Sequence, residues 1–305
     1  MSMPKIALIH PGNAYLPELE AYRDYFSNAG FDVEILRHPS TKDLQNFAVE
    51  WHLLGVDRSP NVPGRLKIHE YISLSIPPFA KWKNRLKRWV NVPPDLRIFH
   101  NEAVRSGFGF QDETLALYRG AGVGAHFFEN FPIEKKYDFV YHGAMNKSRR
   151  MHFLLEKFAR RFTQYTLLLI GEAPEKLRRR FQNHKSIHFA GRVPYREMPK
   201  YLAQAHFGLN YIPDVYPYNL QPSLKLLEYC ALGLPVVTTD YAWLRTFEES
   251  RGGRFFKIRP DWSNFQPDLM ENFDFKTPNV ADLQWEDVIA RSGILEFIEH
   301  HLAAN

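Results

Sequence analysis

The sequence predicts an α/β chain of two doubly wound, Rossmann-like domains facing a cleft. Length is the first support, since 305 residues leave room for two domains of about 150 each. The second is the opening. An apolar run, Lys5–His10, breaks at Pro11-Gly12-Asn13, continues as a helical pattern, and returns to an apolar run at Asp32–Leu36. Strand, loop, helix and strand in that order make a parallel pair with the helix across one face. The third is the second half, where five short apolar runs alternate with helical patterns and build the same unit again.

In order, Leu16, Leu19, Tyr22, Tyr25 and Phe26 recur at helical spacing and Gly30 stops the helix. Further strands are expected at Trp51–Leu54, Leu66–His69 and Leu96–His100, with Asp57–Gly64 as loop. The Pro- and Lys-containing stretch Asn130–Lys136 marks the boundary, giving domains 1–135 and 136–285. The second domain opens with the strand Tyr137–Tyr141, which ends at His142-Gly143. A helix follows with Met151, Leu154, Leu155, Phe158 and Phe162 on one face. Strands at 166–170 and 187–190 stop at Gly171 and Gly191. Helices at 195–205 and 223–232 feed strands at 207–212 and 235–239. Residues 286–305 are expected as a closing helix that crosses back to the first domain.

Apolar residues make up 45% and charged ones 24%, which are ordinary globular values and exclude a disordered chain. Cys230 is the only cysteine, so no disulfide forms within the chain. No run of 18 apolar residues exists, so no transmembrane helix is expected. Met1–His10 lacks the pattern of a secretory signal. The expected location is cytoplasmic, peripheral at the inner face of the membrane. Net charge is +5.

The most informative segment is Ser223-Leu-Lys-Leu-Leu-Glu-Tyr-Cys-Ala-Leu-Gly-Leu-Pro-Val-Val-Thr-Thr-Asp240. A polar loop enters a helix at Ser223, and a helix start with its free N–H groups suits a phosphate. Lys225 and Glu228 share a helical face. Glu228 lies one turn in, where a carboxylate can grip a ribose diol. The same spacing also fits an amphipathic helix carrying a surface Glu–Lys pair.

This segment resembles the family 4 glycosyltransferases of GT-B fold, whose sugar-nucleotide site carries a similar run. The likeness covers Tyr137–Asp240, with a typical closing stretch near Trp285. It implies that Glu228 binds the nucleotide ribose and that Ser223, Leu224 and Lys225 hold the diphosphate. Gly191-Arg192-Val193-Pro-Tyr195 would lie against the base, with Val193 as the backbone contact. Two positions depart from the family pattern. Leu220 stands where a glutamate is common. Gly143 is followed by Ala144, and the positive charge falls instead on Lys147, Arg149 and Arg150. Three cations at a strand-to-helix loop suit a diphosphate, so the basic group is read as shifted along the loop, near Gly143 and Asn146.

In the first domain, His69 and Glu70 end a strand and are candidates for acid–base or sugar-orienting roles; a satisfied strand end is the alternative. Lys147 joins them as a catalytic candidate, stabilising the leaving diphosphate. His10, Gly12 and Asn13 lie on the first strand-loop, which in this fold approaches the acceptor or transferred sugar. Pro78–Val90 combines Trp82, Leu86 and Trp89 with Lys81, Lys83, Arg85, Lys87 and Arg88. Such a helix suits an anionic membrane surface or packs on the sheet.

Gly120-Ala-Gly122-Val-Gly124 follows an apparent helix and fails the context of a dinucleotide loop. Lys176–Arg180 reads as a solvated helix face, with no nucleic acid as partner. No His, Cys, Asp cluster shows metal-ligand spacing, so neither metal nor cofactor is expected beyond the donor itself. The resulting expectation is a glycosyltransferase, retaining and metal-independent, moving a sugar from a nucleotide-diphosphate sugar to a glycan or lipid-linked acceptor in polysaccharide biosynthesis. A catalytically silent GT-B binding subunit and a nucleotide-sugar epimerase are the alternatives.

Overall fold

The structure, a computed structural model, describes residues 3–12, 16–53 and 55–304. Asn13 and Leu54, expected in a ligand loop and at a strand end, lie outside them. The chain forms two compact units, residues 1–122 with 283–305 and residues 123–282.

Unit 1 holds β1 (Lys5–His10), α1 (Pro17–Asn28), β2 (Asp32–Arg37), β3 (Val49–Leu53), β4 (Leu66–Tyr71), α2 (Ala80–Val90), β5 (Leu96–Phe99), α3 (Glu102–Phe108) and β6 (Leu115–Tyr118). The strands run parallel in the order β2-β1-β3-β4-β5-β6. Pro17 pre-sets the first turn of α1. Leu19, Tyr22 and Phe26 then face the sheet, where the Tyr22 ring lies 4.4 Å from that of Trp51.

The first 122 residues do not close this core alone. After unit 2 the chain returns as α10 (Trp285–Ala290) and α11 (Ile294–Ala304), and Ile289, Ile294 and Ile298 join Leu8, Phe26, Trp51 and Ile68 in one buried cluster. Gly293, at φ +72°, turns the chain between the two helices.

Unit 2 holds β7 (Tyr137–His142), α4 (Met151–Arg160), β8 (Leu167–Ile170), α5 (Glu175–Phe181), β9 (Ile187–Gly191), α6 (Met198–Leu202), β10 (Ala205–Asn210), α7 (Leu224–Ala231), β11 (Val236–Thr239), α8 (Ala242–Arg251), β12 (Phe256–Ile258) and α9 (Pro267–Glu271). Its strands are parallel in the order β12-β11-β10-β7-β8-β9. Two parallel six-stranded sheets with flanking helices match the expected class.

Several elements differ from the expectation. The change of unit falls between Gly122 and Val123, ahead of Asn130–Lys136, because a 3-10 turn at Ala125–Phe128 packs with α7 of unit 2. Leu115–Tyr118 is the edge strand β6, where a helix was read; its half-exposed side chains do not alternate in polarity. The glycines that follow therefore do trail a strand, but they lead into the 3-10 turn. Gly122 is a packing residue, since a Cβ there would lie 2.3 Å from the Trp285 ring. Helix α3 went unread although its signals are present: Asn101 accepts from Val104 N at 2.9 Å, and Gly109 ends the helix in the left-handed region.

Candidate functional site

The loops that leave β7, β8 and β9 meet at the carboxyl edge of the unit 2 sheet, where parallel sheets bind ligands. Gly143 N donates to Ile170 O at 3.0 Å, and Gly171 N donates to Gly191 O at 2.7 Å. Gly143 has φ +114°, and a Cβ on Gly171 would lie 2.6 Å from Gly143 O. A side chain at Gly171 would force these turns apart, and one at Gly143 would be strained by its positive φ.

Helix α7 starts beside them. Ser223 precedes it, but its hydroxyl donates inward to Asn210 Oδ1 at 2.8 Å. The Asn210 amide donates to Thr238 Oγ1 and Tyr241 OH, each at 3.0 Å. This buried lattice ties the helix start to β10 and β11 and leaves α7 with no side-chain cap and no acidic residue in its first turn. Unsatisfied N–H groups and the positive dipole end then attract an anion. Gly208 lets the helix come this close; a Cβ there would lie 2.6 Å from the Tyr229 ring, whose hydroxyl donates to Val140 O.

Two cations lean toward this helix start. Lys225 is 8% exposed, with its ammonium 4.2 Å from the Tyr141 ring centre. Burial, and then the Arg149 charge, hold its pKa well below the usual lysine value, while Glu228 pulls the other way. Arg149 stacks 4.8 Å over the Tyr218 ring. Tyr218 OH donates to Ser148 Oγ, and Ser148 Oγ to Asn146 Oδ1, which also accepts from Arg149 N. Asn146 is thus the cap that shapes the 3-10 turn at Lys147–Arg149. Among the described residues neither Arg149 nor Lys225 has a carboxylate within ion-pair distance.

Glu228 is 2% exposed. Its Oε2 lies 3.0 Å from His142 Nε2, close enough for charge attraction but not aligned as a hydrogen bond, so each of these buried atoms lacks a hydrogen-bond partner. An unsatisfied buried carboxylate oxygen is costly, and a ligand diol would supply the missing donors. His126, on the 3-10 turn after Gly124, stands nearby. Burial lowers its pKa, and the Glu228 charge acts in the opposite sense. Its Nε2 meets Tyr195 O at 3.1 Å.

The structure therefore gathers Gly143, Asn146, Arg149, Ser223, Leu224, Lys225 and Glu228. Lys147 is exposed on the 3-10 turn. Arg192 is exposed and ion-paired with Glu172, while Val193 is half-buried in the same loop. Sequence reasoning passed over His126, Tyr141, Asn210 and Tyr218. A polar residue ending a buried strand was the available signal for Asn210; His126 lies outside the recognisable stretch and carried none.

The first-domain candidates need correction. His69 and Glu70 are neighbours on β4, so their side chains point to opposite faces of the sheet and cannot share one site. Glu70 is buried on the α1 face, where it accepts from Trp51 Nε1 at 3.0 Å, from Tyr22 OH at 3.1 Å and from the Arg119 guanidinium. His69 lies on the other face, its Nε2 2.9 Å from Asp57 Oδ2. Asp57 also accepts from Ser59 and from Lys67 Nζ. Both side chains are buried and hydrogen-bonded within unit 1.

The structure also assembles Glu50, His52 and Asp57 within 4.8 Å of one another, a grouping that chain spacing did not suggest because a loop brings Asp57 back over β3. The Lys67 ammonium, 3.0 Å from Asp57 and 3.5 Å from Glu50, already supplies the positive charge there. His10 is buried, and its Nδ1 accepts from Gly12 N at 3.0 Å, which holds the turn after β1.

Residues 136–264 match the family model described as "Glycosyl transferases group 1". No curated protein matches the chain in sequence. Solved structures match nearly all of the chain. AviGT4, a glycosyltransferase involved in avilamycin A biosynthesis, superimposes with a TM-score of 0.65 at 16% identity, covering 99% of each chain. Alr3699/HepE of Anabaena, in complex with UDP and glucose, gives 0.63 at 13%, covering 98% of each. Sucrose-phosphate synthase of Thermosynechococcus elongatus gives 0.61 at 12%, covering 99% of this chain and 94% of that one. By these matches the chain has the GT-B fold of two Rossmann-like domains.

Proposed function

We propose that the glycosyltransferase takes a sugar from a nucleotide-diphosphate donor held by unit 2 and transfers it to a glycan or lipid-linked acceptor held by unit 1. The observation that carries this reading is Glu228, a buried carboxylate with an unsatisfied oxygen one turn inside an uncapped helix. In this arrangement Glu228 accepts from the ribose diol and the start of α7 receives the diphosphate. Arg149 and Lys225 offset the charge that develops as the bond from the sugar carbon to the diphosphate breaks. The acceptor hydroxyl oxygen then bonds to that carbon and gives up its proton to the departing diphosphate oxygen. Two cations and a helix dipole perform the task a metal serves elsewhere, so the transfer is metal-independent, and the family likeness carries retention at the sugar carbon. Lys147 reaches the same diphosphate from the rim, and the Gly191–Tyr195 loop, with Arg192 and Val193, lies along the base. His10 and Gly12 line the acceptor side.

UDP-sugars are the first donors to test, because Alr3699/HepE was solved with UDP and glucose. At 100 times its Kd a donor stabilises the fold by about 2.7 kcal/mol, so a thermal-shift screen of UDP, GDP, ADP and CMP selects the nucleotide. Transfer of labelled sugar to an acceptor in the presence of chelator then establishes the reaction. Binding without turnover indicates a silent subunit, and a changed free sugar indicates an epimerase.

A further inference from the structure

Helix α2 meets the rest of unit 1 with its wrong face. Its buried residues are Ala80 and Asn84, a methyl and an amide. Asn84 Oδ1 accepts from Ser75 N at 2.9 Å, and Arg88 donates to Gly109 O at 2.6 Å, so the helix is tied to the body by polar contacts. Its large apolar side chains face outward instead: Phe79 is 78%, Trp82 62% and Trp89 74% exposed, with Leu86 and Ile76 also exposed. At about 100° per residue, Trp82, Leu86, Trp89 and Val90 fall within an arc of about 100°, roughly opposite Ala80 and Asn84. Lys83 and Arg85 border that arc on either side. A surface helix normally buries such a stripe.

Phe79 reinforces the point. It takes a left-handed conformation, φ +60°, that aromatic residues rarely adopt, and its ring stays in solvent. Backbone strain at an exposed aromatic residue that packs against nothing points to function rather than to packing. No acidic residue occurs between Glu70 and Asp95, while this span holds five lysines and arginines.

We propose that residues 76–90 dock the enzyme on an anionic lipid bilayer. Trp82, Trp89, Phe79 and Leu86 enter the headgroup and upper acyl region while Lys81, Lys83 and Arg85 contact lipid phosphates. Charge decides among occupants. A second copy would set five cations against five more, and single-stranded nucleic acid would leave Ile76 and Leu86 without a partner. Among the described residues no helix is long and apolar enough to cross a membrane, so the contact is lateral.

Co-sedimentation with phosphatidylcholine vesicles, with and without phosphatidylglycerol, tests the assignment on the whole chain. Anionic lipid should raise the bound fraction by about tenfold or more, given about fivefold per cation near such a surface. Salt at about 1 M, which shortens the screening length from about 8 Å to about 3 Å, should reverse that gain. Trp82→Ala with Trp89→Ala, and separately Lys81→Glu with Arg85→Glu, should each lose at least about tenfold in binding at an unchanged melting temperature, since all four side chains are exposed. Equal binding to pure phosphatidylcholine, no binding to either vesicle, or binding retained by both variants overturns the proposal. So does an RNA oligonucleotide that binds more tightly than vesicles and is lost in the same variants, or a dimer that the tryptophan variant abolishes. Donor-induced thermal shifts in these variants should match the native chain, so failure of docking is read apart from failure of the transfer reaction.

Discussion

Glu228 and Lys225 sit three residues apart on α7, yet each contributes a different property to the site. Glu228 offers a fixed acceptor in a nearly dry setting, where a charge-assisted hydrogen bond is worth about 1.5–3 kcal/mol. Glu228→Gln keeps the shape and removes the charge. Titration calorimetry should show donor affinity falling by one to two orders of magnitude at a nearly unchanged melting temperature. Lys225 is a lysine whose ammonium is disfavoured by burial and by Arg149. Above its depressed folded pKa the folded chain binds fewer protons than the unfolded one. Stability therefore rises with pH from that value up to the ordinary lysine value. A diphosphate restores the ammonium, so donor binding should take up a proton within the same window and weaken as pH climbs through it. Calorimetry in two buffers of different ionisation enthalpy measures the uptake; Lys225→Met should abolish it, and unchanged uptake would reassign the proton.

At the scale of elements, the position of α7 depends on Gly208, which leaves space for the Tyr229 ring against β10. Gly208→Val should cost about 1–3 kcal/mol by overpacking and weaken donor binding as well, because the helix start moves with the helix. A variant that loses stability in denaturant titration but keeps full donor affinity would detach helix position from the site. Strand β4 supplies the contrasting case. Glu70 on one face is held by Arg119, Tyr22 and Trp51, so Glu70→Ala removes the nearer counter-ion of a buried guanidinium, leaving it Glu18 at 3.5 Å, and should destabilise the fold by about 3 kcal/mol. Urea unfolding would show it, and a fully stable variant would return Glu70 to the list of reacting groups.

For the molecule as a whole, unit 1 is assembled from both ends of the chain. Ile289, Ile294 and Ile298 are almost wholly buried in its core, and burying each such side chain contributes about 1.5–3 kcal/mol. Ending the chain at Asp282 should therefore cost unit 1 at least about 5 kcal/mol, while the unit 2 transition stays in place. Calorimetric scanning would resolve the two; unit 2 melting early would mean that the closing helices support it instead.

Local pattern alone determined a good part of this. Five apolar runs ended by turns identify five of the six parallel strands of unit 2, all but β12, and the run from Ser223 to Asp240 marks both the uncapped helix start and the carboxylate proposed to hold the donor. These features lie within a few residues of one another, so spacing along the chain equals spacing in space. Edge strand β6 was not legible, because a half-exposed strand lacks the alternation that identifies one. Nor was the separation of His69 from Glu70, which adjacency in sequence conceals and the pleat of a buried strand enforces. His126 beside Glu228, Asn210 beneath Ser223 and Lys67 among Glu50, His52 and Asp57 are joined only when distant segments fold together. The pattern of 78–90 allowed either a core helix or a surface anchor. The tertiary structure decided for exposure, because Ala80 and Asn84 are the face that fits the body, and the tryptophans are left outside.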